Sequence, residues 1–233
     1  MDIGYMNKIN YAKELDNRIE GYEKEGKVPK LLLHACCAPC SSYCLEFLRE
    51  YFEVTVFFYN PNITESKEYY KRVAEEKRLI DEYNRQVESG EFTDMNSTAK
   101  AHRIRIIEGN YDPKEFLEMA KGLEDCPEGG ERCRKCFELR LRESARIAKG
   151  QGFDLMTTTL TISPLKNADV LNEVGQQAAE EFGIEFLPSD FKKKNGYKRS
   201  IELSHKFGLY RQDYCGCGFS KAERLRQQDR ATL

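Results

Sequence analysis

The chain has no hydrophobic run long enough to cross a membrane: its longest uncharged stretch, Leu31 to Leu45, is too short and is interrupted by His34 and Pro39. Its first thirty residues carry charges throughout, so no signal-peptide core is expected. Neither GxGxxG nor GxxxxGK[ST] occurs, which removes the glycine-loop devices for holding a nucleotide. Internal repeats are absent, and Lys192-Lys193-Lys194 is the sole low-complexity run. Nine cysteines in 233 residues fall well short of the density of a disulfide-stapled secreted scaffold. These absences point to a cytoplasmic protein without membrane contact, in which clustered thiols read first as metal ligands or redox groups.

The cysteines are clustered. Cys36, Cys37, Cys40 and Cys44 form one group, Cys133 and Cys136 a second, Cys215 and Cys217 a third, and Cys126 stands apart. Charge is also unevenly placed. The total is −2, yet residues 191–233 hold 11 Lys and Arg against 4 Asp and Glu, leaving the rest of the chain at −9. A basic end on an acidic body suggests a polyanionic partner.

Periodicity predicts strands over Lys30 to Ala35, Phe52 to Tyr59, Arg103 to Glu108, Phe153 to Ile162 and Ile184 to Leu187. Between them lie helical stretches at Ser41 to Tyr51, Glu65 to Glu88, Pro113 to Gly122, Cys133 to Lys149 and Asp169 to Phe182, with a break at Gly90 to Asn96. This alternation argues an α/β fold, a mainly parallel Rossmann-like sheet with helices on both faces. The expected organisation is a peripheral N-terminal helix in residues 1–29, an α/β metal-binding core in 30–190, and a basic extension in 191–233 packed on the same domain.

Cys133 and Cys136 open a helix three residues apart, and Cys36 and Cys37 occupy the turn after the first strand. Helix-opening amides favour thiolate, the metal-binding form. Four thiolates from two segments can close a tetrahedral zinc site or an iron–sulfur cluster. Adjacent Cys36 and Cys37 are awkward on one small ion but suit a cubane, whose irons are spread apart. Cys215-Gly216-Cys217 can either close a strained, redox-active disulfide or chelate an ion with Cys40 as a third ligand. Cys44, on an apolar helix face, reads as a packing residue. His34 reads as a hydrogen-bonded core residue or as a partner behind a sulfur ligand. Ser163 and Lys166, in TTTLTISPLK, suit either phosphate or sugar binding or plain helix capping. The run Lys192, Lys193, Lys194, Tyr197, Lys198 and Arg199 offers cations and one ring to single-stranded nucleic acid.

Four segments taken in order, HACCAPCSSYCLEFL, PEGGERCRKCFELRL, TTTLTISPLKN and YCGCGFS, resemble the QueH-type epoxyqueuosine reductases from about Leu31 to Ser220. The resemblance implies a core similar to adenine-nucleotide alpha-hydrolase-like domains. It implies reduction of the epoxide of epoxyqueuosine at the wobble position of tRNA, the last step of queuosine formation. It further implies a [4Fe-4S] cluster on Cys36, Cys37, Cys133 and Cys136, and a redox-active Cys215–Cys217 pair. A nearby mononuclear iron on Cys40, Cys215 and Cys217 is part of the same implication, as is independence from cobalamin. An electron donor is required and is not named by the sequence. Two other functions fit the thiols: a zinc-stabilised RNA-binding module, and a thiol–disulfide oxidoreductase.

Overall fold

The computed structural model describes residues 9–92 and 100–231, with side chains to residue 229. Five parallel strands, β1 (Lys30–His34), β2 (Glu53–Phe58), β3 (Arg105–Glu108), β4 (Leu155–Thr158) and β5 (Glu185–Phe186), line up in the order β3-β2-β1-β4-β5. Eight helices accompany them among the described residues: α1 (Tyr11–Lys24), α2 (Ala38–Leu48), α3 (Ser66–Ser89), α4 (Pro113–Met119), α5 (Glu131–Gly150), α6 (Ala168–Phe182), α7 (Gly196–Lys206) and α8 (Gly218–Ala231). The α/β class expected from the sequence is therefore the class observed. No described helix is long and apolar enough to span a membrane.

β1 is the centre of the sheet, and between the exposed Lys30 at its start and the buried His34 at its end it is wholly leucine. Leu31 and Leu33 face one core with Val54, Val56, Leu45 and Leu48, while Leu32 faces the other with Met156, Leu141 and Leu171. A strand covered on both faces reads as an unbroken apolar run, which is why Lys30 to Ala35 is legible as buried. α2, α3 and α7 stack on the first face, and α5 packs on α6 across the second. Gly175 permits the tight approach of α6 to β5: a Cβ there would lie 2.3 Å from the Phe186 ring.

Two sequence expectations are corrected. The strand expected over Phe153 to Ile162 stops at Thr158, because the Thr158 hydroxyl accepts from the Leu160 amide and turns Thr159–Ile162 into a 3₁₀ turn. The helix expected from Asp169 is capped by Asn167, whose side chain accepts from the amides of Asp169 and Val170, and not by Ser163. The expected break at Gly90 to Asn96 begins with Gly90 at φ +70° closing α3, and continues outside the described residues after Phe92.

The chain runs outward from β1 to β2 to β3, then returns to the opposite side for β4 and β5. The order reverses between β1 and β4, and a crevice opens beyond the carboxyl ends of those two strands. The first cysteine group follows β1 directly.

Candidate metal centre

Three separate segments deliver thiols to this crevice. Cys36 and Cys37 end the turn after β1, with Cys37 the extended residue before α2 and Cys40 in its first turn. The sulfurs of Cys36, Cys37 and Cys40 all lie within 4.8 Å of one another. Cys133 and Cys136 sit in the first turns of α5, with the Gly129 amide donating to Cys133 Sγ at 3.2 Å. Cys133 packs in the apolar cluster that holds Cys36 and Cys37, and Cys136 in a neighbouring cluster with Cys217 and Phe116. All nine cysteines are free thiols. Cys44 is fully buried in the core beside Leu45 and Leu48, and Cys126 is half-buried against Gly130.

The Cys215–Cys217 loop is fixed from three sides. Arg72 of α3, itself buried, donates to the carbonyls of Cys215 at 3.1 Å and Tyr214 at 3.4 Å. The Thr64 amide donates to the Gly216 carbonyl at 3.3 Å. Ser220 links the two cysteines: the Cys215 amide donates to its hydroxyl, and its own amide donates to Cys217 Sγ. Gly216 has φ +120°, and a Cβ there would stand 2.9 Å from Ile63, so glycine alone suits the position.

Beneath the thiols lies a buried polar hub that the sequence reading did not identify. Arg140 of α5 is fully buried. Its Nε donates to His34 Nε2 at 3.3 Å and its Nη2 to Asn60 Oδ1 at 2.6 Å. Its Nη1 is buried without a hydrogen-bond partner, and the guanidinium as a whole lies against the Cys136 thiol. His34 completes the hub through Nδ1 and Thr158 Oγ1, 2.9 Å apart. Burial, helped by the Arg140 charge, lowers the His34 pKa to about 3, so the ring stays neutral. The spacing carried the signal: Arg140 is four residues after Cys136 and seven after Cys133, on the same helix face.

Electrostatics favour thiolate at one point. Hydrogen bonds from Cys37 and Cys40, together with the charges of Arg140 and Lys166, hold Cys36 well below the ordinary thiol range. Its neighbours go the other way. Cys37 is pushed to about 12, chiefly by sharing its proton with Cys36, whereas burial lifts Cys136 to about 12 and Cys217 to about 11. Burial alone would lower the Lys166 pKa, but Cys215, Cys36 and Cys40 outweigh it and keep the ammonium charged. Three sulfurs within 4.8 Å of one another, further thiols packed beside them, and two cations, one with an orphaned donor, suit a thiolate-bound metal group. The residues present fit such a group.

A cavity of about 300 Å³ opens above the thiols, with Cys36, Cys40, Cys215 and Arg140 in its walls. Ser163, Lys166 and Tyr197 line it too, so three of the sequence candidates meet at one opening. The remaining basic candidates do not converge there. Lys192 Nζ pairs with Asp190 at 2.6 Å and also donates to the Thr161 carbonyl, and Lys194 pairs with Asp16. Arg199 makes a two-pronged pair with Glu46 at 2.7 and 2.9 Å and a third contact with Glu202. Lys193 and Lys198 are exposed.

Glu76, on α3 behind α2, is fully buried, and no cation pairs with it among the described residues. Burial raises its pKa to about 8. The folded protein thus holds a proton there that the unfolded chain releases near pH 4.5. This contribution is intact below that pH and is lost as pH rises through about 8. Glu76→Gln should leave urea midpoints nearly unchanged at pH 5 and raise stability at pH 9 by on the order of 2–4 kcal/mol. Equal effects at both pH values would show that Glu76 is ionised in the fold.

A parallel α/β sheet with cysteines from three segments gathered near its switch point defines a thiol-rich Rossmann-like protein whose side chains could hold metal. Residues 31–223 match the family description "Epoxyqueuosine reductase QueH". The chain is similar to the Epoxyqueuosine reductase QueH of Staphylococcus epidermidis, with 42% identity over 215 residues, 91% of this chain and 85% of that protein. It resembles that of Streptococcus pyogenes at 39% identity, covering 91% of this chain and 78% of the relative, and that of Thermotoga maritima at 32%, covering 83% and 91%. The chain belongs to the epoxyqueuosine reductase QueH family.

Proposed function

We propose that this protein reduces the epoxide of epoxyqueuosine at the wobble position of tRNA, without cobalamin. The observation that carries the reading is the meeting of two cysteine segments, at Cys36, Cys40 and Cys215, in one cavity wall with Lys166, over a buried Arg140 that reaches the third segment at Cys136. Family membership supports it independently.

Converting the epoxide to an alkene consumes two electrons and two protons and releases water. Cys36, Cys37, Cys133 and Cys136 would hold a [4Fe-4S] cluster, and Cys40, Cys215 and Cys217 a single iron. When bound, these groups supply one-electron transfer and Lewis acidity. The chain's own residues do the rest. Cys215 and Cys217, as thiols, carry two electrons and two protons that are given up if they close a disulfide, which an external electron donor must then reopen. Lys166 Nζ, kept charged in the cavity wall, donates a hydrogen bond to the departing oxygen. Ser163 and Tyr197 flank the opening through which the nucleoside, turned out of its loop, would enter.

Anaerobic turnover of epoxyqueuosine-containing tRNA with a chemical reductant, read by nucleoside mass spectrometry, tests the proposal. Conversion to queuosine by a brown protein holding stoichiometric iron and sulfide is expected. A colourless protein with one tight zinc and no turnover would leave the RNA-binding-module reading instead, and turnover surviving complete metal removal would favour thiol exchange.

A further inference from the structure

The cations expected to meet RNA are largely spent inside the fold. Lys192, Lys194 and Arg199 are neutralised by Asp190, Asp16 and Glu46. A polyanion approaching the cavity must therefore find its charge elsewhere, on a body that is acidic through residue 190. The cavity rim supplies it. Arg211, in the loop after α7, and Arg224, two turns into α8, both line the opening.

Neither guanidinium meets a carboxylate among the described ion pairs. Arg211 is exposed, and its one hydrogen bond runs from Nη1 to the Ser204 hydroxyl at 2.9 Å. Arg224 donates from Nε to the Asp213 carbonyl at 3.0 Å and from Nη1 to Gln227 at 3.2 Å. Each is thus braced by neutral acceptors along one edge while its full charge and its Nη2 donors stay open. A guanidinium carries five donors in a planar fork, which matches two phosphate oxygens at once. The only carboxylates lining the same cavity are Glu128 and Asp213, against Arg140, Lys166, Arg211 and Arg224. The opening is cationic on an acidic molecule.

We propose that Arg211 and Arg224 form a phosphate clamp that grips the RNA backbone on either side of the nucleotide inserted into the cavity. The inference rests on the reading above that a tRNA nucleoside is the substrate. It assigns the backbone contacts to α8 and the loop before it, and it leaves the lysine run a largely structural role. Extrusion of a nucleotide needs its flanking phosphates held, and a clamp at the rim does this without reading sequence.

The test uses the anaerobically purified full-length protein and an unmodified anticodon stem–loop RNA, with affinity followed by anisotropy across a range of salt. Arg211→Ala/Arg224→Ala should weaken binding at low salt by roughly tenfold or more and flatten the salt slope by about 1.5–2 units. Arg211→Lys/Arg224→Lys should keep most of the slope while losing affinity, since the charge stays and the fork is gone. Arg85→Ala/Arg105→Ala, on α3 and β3, serves as the charge-matched control and should change neither quantity. Unchanged affinity and slope in the double alanine variant would overturn the clamp, as would transfer of the whole effect to Lys193→Ala/Lys198→Ala. Turnover of epoxyqueuosine RNA at saturating concentration keeps the two readings apart. Arginine-dependent RNA binding with no turnover by the unaltered protein sinks the reductase reading alone. Full turnover with arginine-independent binding sinks the clamp alone.

Discussion

Cys136→Ala, purified without oxygen, is expected to lose both its iron–sulfur absorbance and its turnover. The same is expected of Cys36→Ala. Cys136 sits in the second turn of α5 against the buried Arg140 guanidinium, and Cys36 is the thiol most biased toward thiolate in the crevice. Removing either takes one of the four proposed donors and leaves a buried guanidinium facing less negative charge. Stability should fall along with colour, since binding a structural metal is part of the folding free energy. Cys44→Ala is the matched control. It is equally buried but belongs to the leucine-rich core, so it should lose about 1 kcal/mol of packing and keep its colour. Soluble Cys136→Ala protein with a full cluster would remove Cys136 from the ligand set.

Cys215→Ser and Cys217→Ser should behave in the opposite way. The loop that carries them is held mainly through backbone atoms, by Arg72, Thr64 and the Ser220 hydroxyl. Its one contact to Cys217 Sγ is one that a serine hydroxyl can also accept, so a serine at either position leaves the loop standing. Visible absorbance should therefore persist while turnover falls by on the order of a hundredfold or more, the scale of removing a group that acts on the reacting atoms. Loss of colour together with activity would mean that these two cysteines belong to the cluster. Cys40 is the informative third variant, because its sulfur lies within 4.8 Å of those of Cys36 and Cys37 while the proposal joins it to Cys215 and Cys217. Full absorbance after Cys40→Ala would keep it with Cys215 and Cys217.

What could be read in advance follows from how local each feature is. The strand β1 announces itself because burial on both faces demands uninterrupted apolar residues, and Leu31, Leu32 and Leu33 supply them, while β2 shows itself by its β-branched and aromatic residues. β4 was overextended because three threonines favour a strand by composition, while the Thr158 hydroxyl that ends it acts through one hydrogen bond. The basic run shows the limit most clearly. Charge is visible in a sequence, but its cancellation is not: Asp16 lies 178 residues from Lys194, and Glu46 lies 153 from Arg199. Arg140 was missed for a related reason. On a helix as charged as α5 one more arginine reads as surface, and only its register with Cys133 and Cys136 places it inward.

The strand order also sets a timetable. β1 can find β2 almost as soon as both are made, but its other neighbour is β4, with Leu31 registered against Leu155. Pairings so distant in sequence slow folding and wait on synthesis. At a translation rate of about 5–20 residues per second, Cys36, Cys37 and Cys40 emerge roughly 10–35 s before Cys217. Through about the first half of that interval the adjacent thiols have no Cys133 and no Arg140, and through all of it they have no closing loop over them. The nascent chain is thus open to oxidation at thiols that its finished form largely covers, so the yield of active protein should depend on the redox state of its surroundings during synthesis more than afterwards.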